Sequence, residues 1–298
     1  MIIDRARYQR LAERLRPGSE VTRWWQLEGG VSAHVTAVEL ALPHGGTERG
    51  VARRHGAIDK GHNPDIAATE FSVLEAVRAA GLAVPAPLLL DETGELLGSS
   101  GLVTSFVDGS TDVAADELPD ALRQMASFLS RLHAIDVENV DLPQLPHQDD
   151  PTANTMRYLP GGPLDERIRA AHASHGPIAP TNGPALLHGD FWPGNVMWRE
   201  GELAAVLDWE DAAIGDPVAD LAGTRNELLW KYGLDARERF TALYLSMTSI
   251  DLGHLPFWEI SGAAGALALM GEWGLDPEIE ADMRAKCEWI IEQSLRAL

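Results

Sequence analysis

Cysteine is nearly missing from this chain: Cys287 is the only one among 298 residues. One thiol closes no intramolecular disulfide, and zinc clusters built on several thiolates are excluded with it. Basic residues are also scarce, 24 Lys and Arg against 45 Asp and Glu, for a formal net charge of -21. Nucleic acids are held chiefly by clustered Lys and Arg, so neither duplex nor single strand is an expected partner. The excess acid serves solubility and equally suits the steering of a cationic small molecule. Long apolar runs are lacking too. No window reaches the roughly 18 apolar residues of a membrane span, and the N-terminus has no apolar signal-peptide core. A cytoplasmic protein without membrane association is the expectation.

What is present reads as a folded chain in two parts. An apolar fraction of 45% with 23% charged residues is that of a globular protein, and 298 residues exceed one ordinary core. Tyr8, Leu11 and Leu15 recur at helical spacing, with arginines between them, until Pro17-Gly18 stops the helix. Strand patterns follow over residues 31–42 and 50–54, joined by the turn Pro43-His44-Gly45-Gly46. Phe71, Leu74 and Val77 mark one helix, ended by Gly81. Extended segments then flank the turn Asp91-Glu92-Thr93-Gly94. After Asp108-Gly109 the pattern changes. Leu118, Leu122, Met125, Leu129 and Leu132 alternate steps of four and three, one apolar face of a helix ending near His133. Residues 142–163, punctuated by Pro and Gly, show no readable periodicity. Four further helices are expected over 221–232, 236–247, 257–273 and 277–298. Cys287, beside Trp289 and Ile290, reads as a small core residue.

The chemistry is concentrated in His188-Gly189-Asp190-Phe191-Trp192-Pro193-Gly194-Asn195 and Asp208-Trp209-Glu210. Two short apolar stretches, 185–187 and 203–207, read as buried strands that deliver these polar residues at their ends. Phosphoryl transfer needs a carboxylate to orient the acceptor, oxygen ligands for magnesium and positive charge on the phosphates. Magnesium takes carboxylate and amide oxygens, which Asp190, Asn195 and Asp208 offer.

The spacing His-Gly-Asp-x-x-x-x-Asn, followed by Asp-Trp-Glu-Asp-Ala-Ala-Ile-Gly-Asp-Pro and Asp220-Leu221, resembles the aminoglycoside phosphotransferase and choline kinase-like superfamily. The likeness is tightest over residues 186–221 and looser over 27–133. It implies an α+β, bilobal protein kinase-like fold. Residues 1–107 would form a small antiparallel-sheet lobe with one helix, binding nucleotide. Residues 108–298 would form a larger, mainly helical lobe for catalysis and acceptor binding. It further implies Asp190 as catalytic carboxylate, Asn195 and Asp208 as magnesium ligands, and His188 as support for the loop. Glu210 would assist the metal or the acceptor, while Asp216 and Asp220 would anchor the catalytic loop. ATP or another nucleoside triphosphate with Mg²⁺ would be the cofactors, with the adenine near residues 104–108, and a small-molecule hydroxyl the acceptor.

The first lobe fits more loosely. Gly29, Gly30 and Ser32 lie between strands where such kinases place a loop over the nucleotide. The strand lysine of protein kinases is replaced by Arg53 or Arg54 in Val51-Ala52-Arg53-Arg54. Arg53, with Glu70 as its helix partner, is the reading the relatives imply, and a planar guanidinium meets phosphate differently from a lysine ammonium. Glu259 and Glu272 are further candidates to wall the acceptor pocket, as are Trp258 and Trp273, which read first as part of an apolar helix face. A metal-dependent phosphohydrolase and a nucleotide-binding pseudokinase remain the alternatives.

Overall fold

At residues 43–46 the chain reverses sharply, with Gly45 and Gly46 at φ of 89° and 90°, a left-handed backbone that a Cβ resists. The computed structural model describes residues 5–27 and 33–298. The reversal joins strands β2 (Ala33–Ala41) and β3 (Thr47–His55), which pair antiparallel from Ala33↔His55 to Ala41↔Thr47. With β1 (Glu20–Gln26), β4 (Pro87–Asp91) and β5 (Gly101–Ser105) they make an antiparallel sheet of order β1-β2-β3-β5-β4. Helix α1 (Arg5–Leu15) lays Tyr8, Leu11 and Ala12 against Val21, Val38, Leu40, Ala52 and Val103. Burial of each large apolar side chain there is worth about 1.5–3 kcal/mol. Side chains alternate across a strand, so Ala52 enters this core while Arg53 and His55 belong to the other face. Helix α3 (Ile66–Ala79) buries Val73, Leu74 and Val77 and, alone among its charged residues, Glu70.

A short α2 (Ala57–His62) precedes α3. Its six residues carry no apolar stripe; the Asp59 carboxylate holds it by accepting from the Gly56 N–H at 3.1 Å. The boundary differs from a single cut after residue 107. The chain divides into one unit of Met1–Gly109, Asp141–Gln144 and Ala204–Glu210, and a second of Ser110–Val140, Leu145–Leu203 and Asp211–Leu298. Asp208 and Glu210 therefore pack with the first unit, although they lie far along the chain.

In the second unit α4 (Leu118–His133) buries Leu122, Met125, Leu129 and Leu132. Residues 142–163, unreadable by periodicity, contain β6 (His147–Gln148) and α5 (Pro151–Arg157), and α6 (Pro163–His175) follows. Strands β6, β10 (Ala213–Gly215) and β7 (Ala185–Leu187) form a small mixed sheet in the order β6-β10-β7. Between β7 and β10 come β8 (Val196–Arg199) and β9 (Glu202–Val206), whose residues from Ala204 onward belong to the first unit. The C-terminal helices are α7 (Val218–Tyr232), α8 (Leu234–Leu245), α9 (Leu255–Leu269) and α10 (Pro277–Ala297). Leu229, Ile260, Ala263, Ile290 and Ile291 form their core with Cys287, whose thiol burial pushes up to about 12. Among the described residues no helix is long and apolar enough to cross a membrane.

Glu259 belongs to an ion network. It is buried between α7 and α8, where Arg225 Nε donates to its carboxylate at 2.7 Å and Arg237 Nη2 at 2.5 Å. Trp258 packs with Val218 and Ala222.

Candidate functional site

Strand β7 ends in a loop whose shape is set by one carboxylate. Asp220, in the first turn of α7, accepts from the backbone N–H of His188 at 2.7 Å and of Gly189 at 2.9 Å. His133 Nε2 reaches the same carboxylate at 3.2 Å, and His133 Nδ1 is hydrogen-bonded with Tyr244 Oη at 2.7 Å. Burial alone would raise the Asp220 pKa, but the His133 and His188 contacts hold it below the usual carboxylate range. Gly189 has φ +85°, and a Cβ there would stand 2.1 Å from the Asp211 carbonyl oxygen, so only glycine takes this path.

The loop presents Asp190. Its backbone N–H donates to His188 Nδ1 at 3.2 Å, and Asn195 Nδ2 donates to both the Asp190 carbonyl and Oδ2 at 2.9 Å. With its amide nitrogen so directed, Asn195 has Oδ1 as the oxygen to offer a cation. Burial pushes the Asp190 pKa up, partly offset by His188, Asn195 and Trp192. A cavity of about 100 Å³ opens beside it, lined by Gly189, Asp190, Asn226, Glu227, Trp230 and Gly262 among others. The Glu227 carboxyl is pushed up to about 8 by burial first and by the Asp190 charge second. Glu227 escaped the reading of the sequence. The available signal was its place seven residues after Asp220, two helical turns along one face of α7.

Asp216 does not hold the catalytic loop. Its carboxylate accepts from Thr181 N, Asn182 Nδ2 and Val218 N at 3.2, 2.9 and 3.0 Å, tying a separate loop to the start of α7.

The first unit gathers Arg53, Glu70, Asp208 and Glu210. Arg53 Nη2 donates to Asp208 Oδ1 at 2.5 Å and to Glu210 Oε2 at 2.6 Å. Its Nε is 3.3 Å from Glu70 Oε2. Burial would lower the Arg53 pKa, but Glu70, Asp208 and Glu210 raise it overall. His55, which the sequence did not single out, lies with Nε2 2.7 Å from Glu70 Oε2. Glu210 meets Arg53 rather than standing free in solvent. Arg54 takes no part in this cluster; its positive charge helps depress the Lys60 pKa, an effect due first to burial. Gly29, Gly30 and Ser32 lie outside the described residues.

Asp208 holds φ at 64°, in the left-handed region that aspartate tolerates better than most side chains. Its carboxyl is pushed up to about 6, first by burial, with Arg53 opposing and Glu210 and Glu70 adding. Three carboxylates against one guanidinium make a surplus of negative charge that a divalent cation would relieve. Among the described residues no group of three His, Cys, Asp or Glu is set to hold a metal by itself. Magnesium commonly uses one or two protein carboxylates with nucleotide phosphates, so this donor set fits it.

A five-stranded antiparallel sheet with helix α3, and a helical unit whose strand β7 delivers a His-Gly-Asp loop, define a kinase-like fold. The chain belongs to the phosphotransferase enzyme family, whose APH model matches residues 28–255. Acyl-CoA dehydrogenase family member 10 of Mus musculus is 27% identical over 214 residues, 59% of this chain and 19% of that relative. The chain thus spans about a fifth of the length of that curated relative. A candidate aminoglycoside phosphotransferase from Ralstonia eutropha has a similar structure, with a TM-score of 0.72 at 16% identity, covering 99% of this chain and 98% of that one. Aminoglycoside phosphotransferase APH(4)-Ia, in a ternary complex with AMP-PNP and hygromycin B, gives a TM-score of 0.63 at 17% identity, with coverage of 92% and 94%.

Proposed function

We propose that this chain transfers the γ-phosphate of ATP or another nucleoside triphosphate to a hydroxyl of a small molecule. The observation that carries the reading is the Asp190 carboxylate, fixed by Asn195 beside a cavity and raised in basicity by burial. A carboxylate so placed orients the acceptor hydroxyl and takes its proton as the oxygen attacks phosphorus. Asp220 and His188 keep the loop in place while this happens. Arg53 supplies positive charge for the phosphates, and the surrounding acids keep it protonated. Asp208 and Asn195 would offer oxygens to magnesium, which when bound neutralises charge on the phosphate oxygens. Gly29, Gly30 and Ser32 would cover the nucleotide. A cytoplasmic setting, where triphosphates and magnesium abound, goes with this reading.

AMP-PNP and hygromycin B in the APH(4)-Ia complex support a nucleotide and an amino-hydroxy acceptor as the first substrates to try. The acidity of the chain favours acceptors with amines. A hydroxyacyl thioester joins the panel because the mouse relative is named for acyl-CoA dehydrogenases. Each acceptor is incubated with MgATP and the purified chain, with Asp190→Asn as the blank. Phosphorylated acceptor is expected from the wild type and a loss of about 100-fold or more from the variant. Release of inorganic phosphate with no phosphorylated acceptor would make the chain a metal-dependent phosphohydrolase. Tight MgATP binding without turnover would make it a pseudokinase.

A further inference from the structure

In protein kinases one strand lysine pairs with a helix glutamate and also meets the phosphates. Here two side chains stand where that lysine would act alone. Glu70 Oε2 is 2.7 Å from His55 Nε2 and 3.3 Å from Arg53 Nε. Only the His55 contact has hydrogen-bond geometry, since Arg53 Nε is buried without a hydrogen bond. Arg53 directs its hydrogen bonds through Nη2, towards Asp208 and Glu210. The backbone N–H of Trp209 adds another donor to Glu70. A guanidinium grips a carboxylate best through two parallel N–H bonds, so Nη2 cannot complete a fork on Glu70 while it serves Asp208 and Glu210.

His55 is itself costly to place. Its side chain is wholly buried and Nδ1 has no hydrogen-bond partner. An apolar residue would avoid that orphaned nitrogen, so the ring is held there for what Nε2 does.

We propose that His55 is a positioning residue, which anchors Glu70 in place of the missing lysine and leaves the Arg53 fork turned towards Asp208, Glu210 and a nucleotide phosphate. Only the phosphate in this assignment rests on the phosphotransferase reading; the rest concerns contacts within the first unit. His55 and Arg53 share one face of β3, two residues apart, so both reach the same carboxylate.

The test compares the full-length wild type with His55→Phe, His55→Gln and the double variant Arg53→Lys/His55→Phe. MgATP affinity is measured by calorimetry, acceptor KM by kinetics, and the Arg53 Nε signal by nitrogen-15 NMR. His55→Phe should weaken MgATP about tenfold, equivalent to about 1.4 kcal/mol, and leave the acceptor KM unchanged. His55→Gln, whose amide nitrogen replaces Nε2, should stay within about threefold of the wild type. The double variant should recover most of the loss, because a lysine ammonium pairs with Glu70 directly. A lowered Tm in His55→Phe with unchanged MgATP affinity would show a merely structural ring and overturn the proposal, as would a glutamine variant as impaired as the phenylalanine one. Should His55→Phe not fold, His55→Asn, which keeps polarity but falls short of Glu70, takes its place with the same expectations. If the wild type binds no MgATP, the phosphotransferase reading fails separately and the Arg53 Nε signal decides. A shift in the phenylalanine or asparagine variant that glutamine does not cause sustains the anchoring role; identical spectra overturn it.

Discussion

Glu227 places an acid where little water reaches it, next to another acid. Its folded pKa of about 8 stands above the ordinary 4.5. Between those values the folded chain binds a proton that the unfolded chain has released, so this group makes stability fall as pH rises through the interval. Glutamine cannot ionise. Glu227→Gln should therefore match the wild type near pH 5 and melt at a higher temperature near pH 9, which thermal unfolding across that range will show. The residues that carry a spacing were legible: His188, Asp190, Asn195 and Asp208 stand at intervals that few arrangements share. Glu227 and His55 were not, because their meaning comes from what faces them. Nothing in Ala52-Arg53-Arg54-His55 announces that the histidine, two positions past the arginine, holds Glu70. The same alternation places Arg53 on the face that carries the acids.

At the scale of the elements, α7, α8 and α9 are joined by a buried cross-tie. Glu259 receives Arg225 and Arg237 together, and Ser294 Oγ donates to it at 3.2 Å from α10. Removal of the carboxylate leaves two buried guanidinium groups with the exposed Glu238 as their remaining acid partner, a cost of about 3–5 kcal/mol. Glu259→Ala should lower unfolding stability by that amount in urea melts, well beyond the loss from Glu259→Gln, which keeps shape and a hydrogen-bond acceptor. These helices were readable within a few residues because their apolar stripes repeat over three turns or more. The ion network was not, since Arg225, Arg237 and Glu259 are far apart in the chain and look like surface charges. Short elements escaped for a different reason: α2 has six residues and β6 two, too few for any period to register.

At the scale of the whole molecule, the first unit is completed by a segment from after Leu203. A fragment ending at Gly109 keeps Arg53, His55 and Glu70 but lacks Asp208, the Trp209 N–H and Glu210. Such a fragment should show a broad, low-temperature melt, whereas adding residues 204–210 through a short linker after Gly109 should restore part of a cooperative transition. Circular dichroism of the two fragments makes the comparison. The sequence reading divides the chain once, at the change of pattern at Asp108-Gly109. It missed the return, because Ala204-Ala205-Val206 reads as a strand of whichever unit surrounds it.

That return also imposes a timetable. On the ribosome Asp208, the first of the two later acids that meet Arg53, is made 155 residues after it. At about 5–20 residues per second this interval lasts roughly 8–30 s. During it Glu70 is the one acid of the cluster already made, and its contacts with Arg53 and His55 are the part that can form before the rest of the chain arrives.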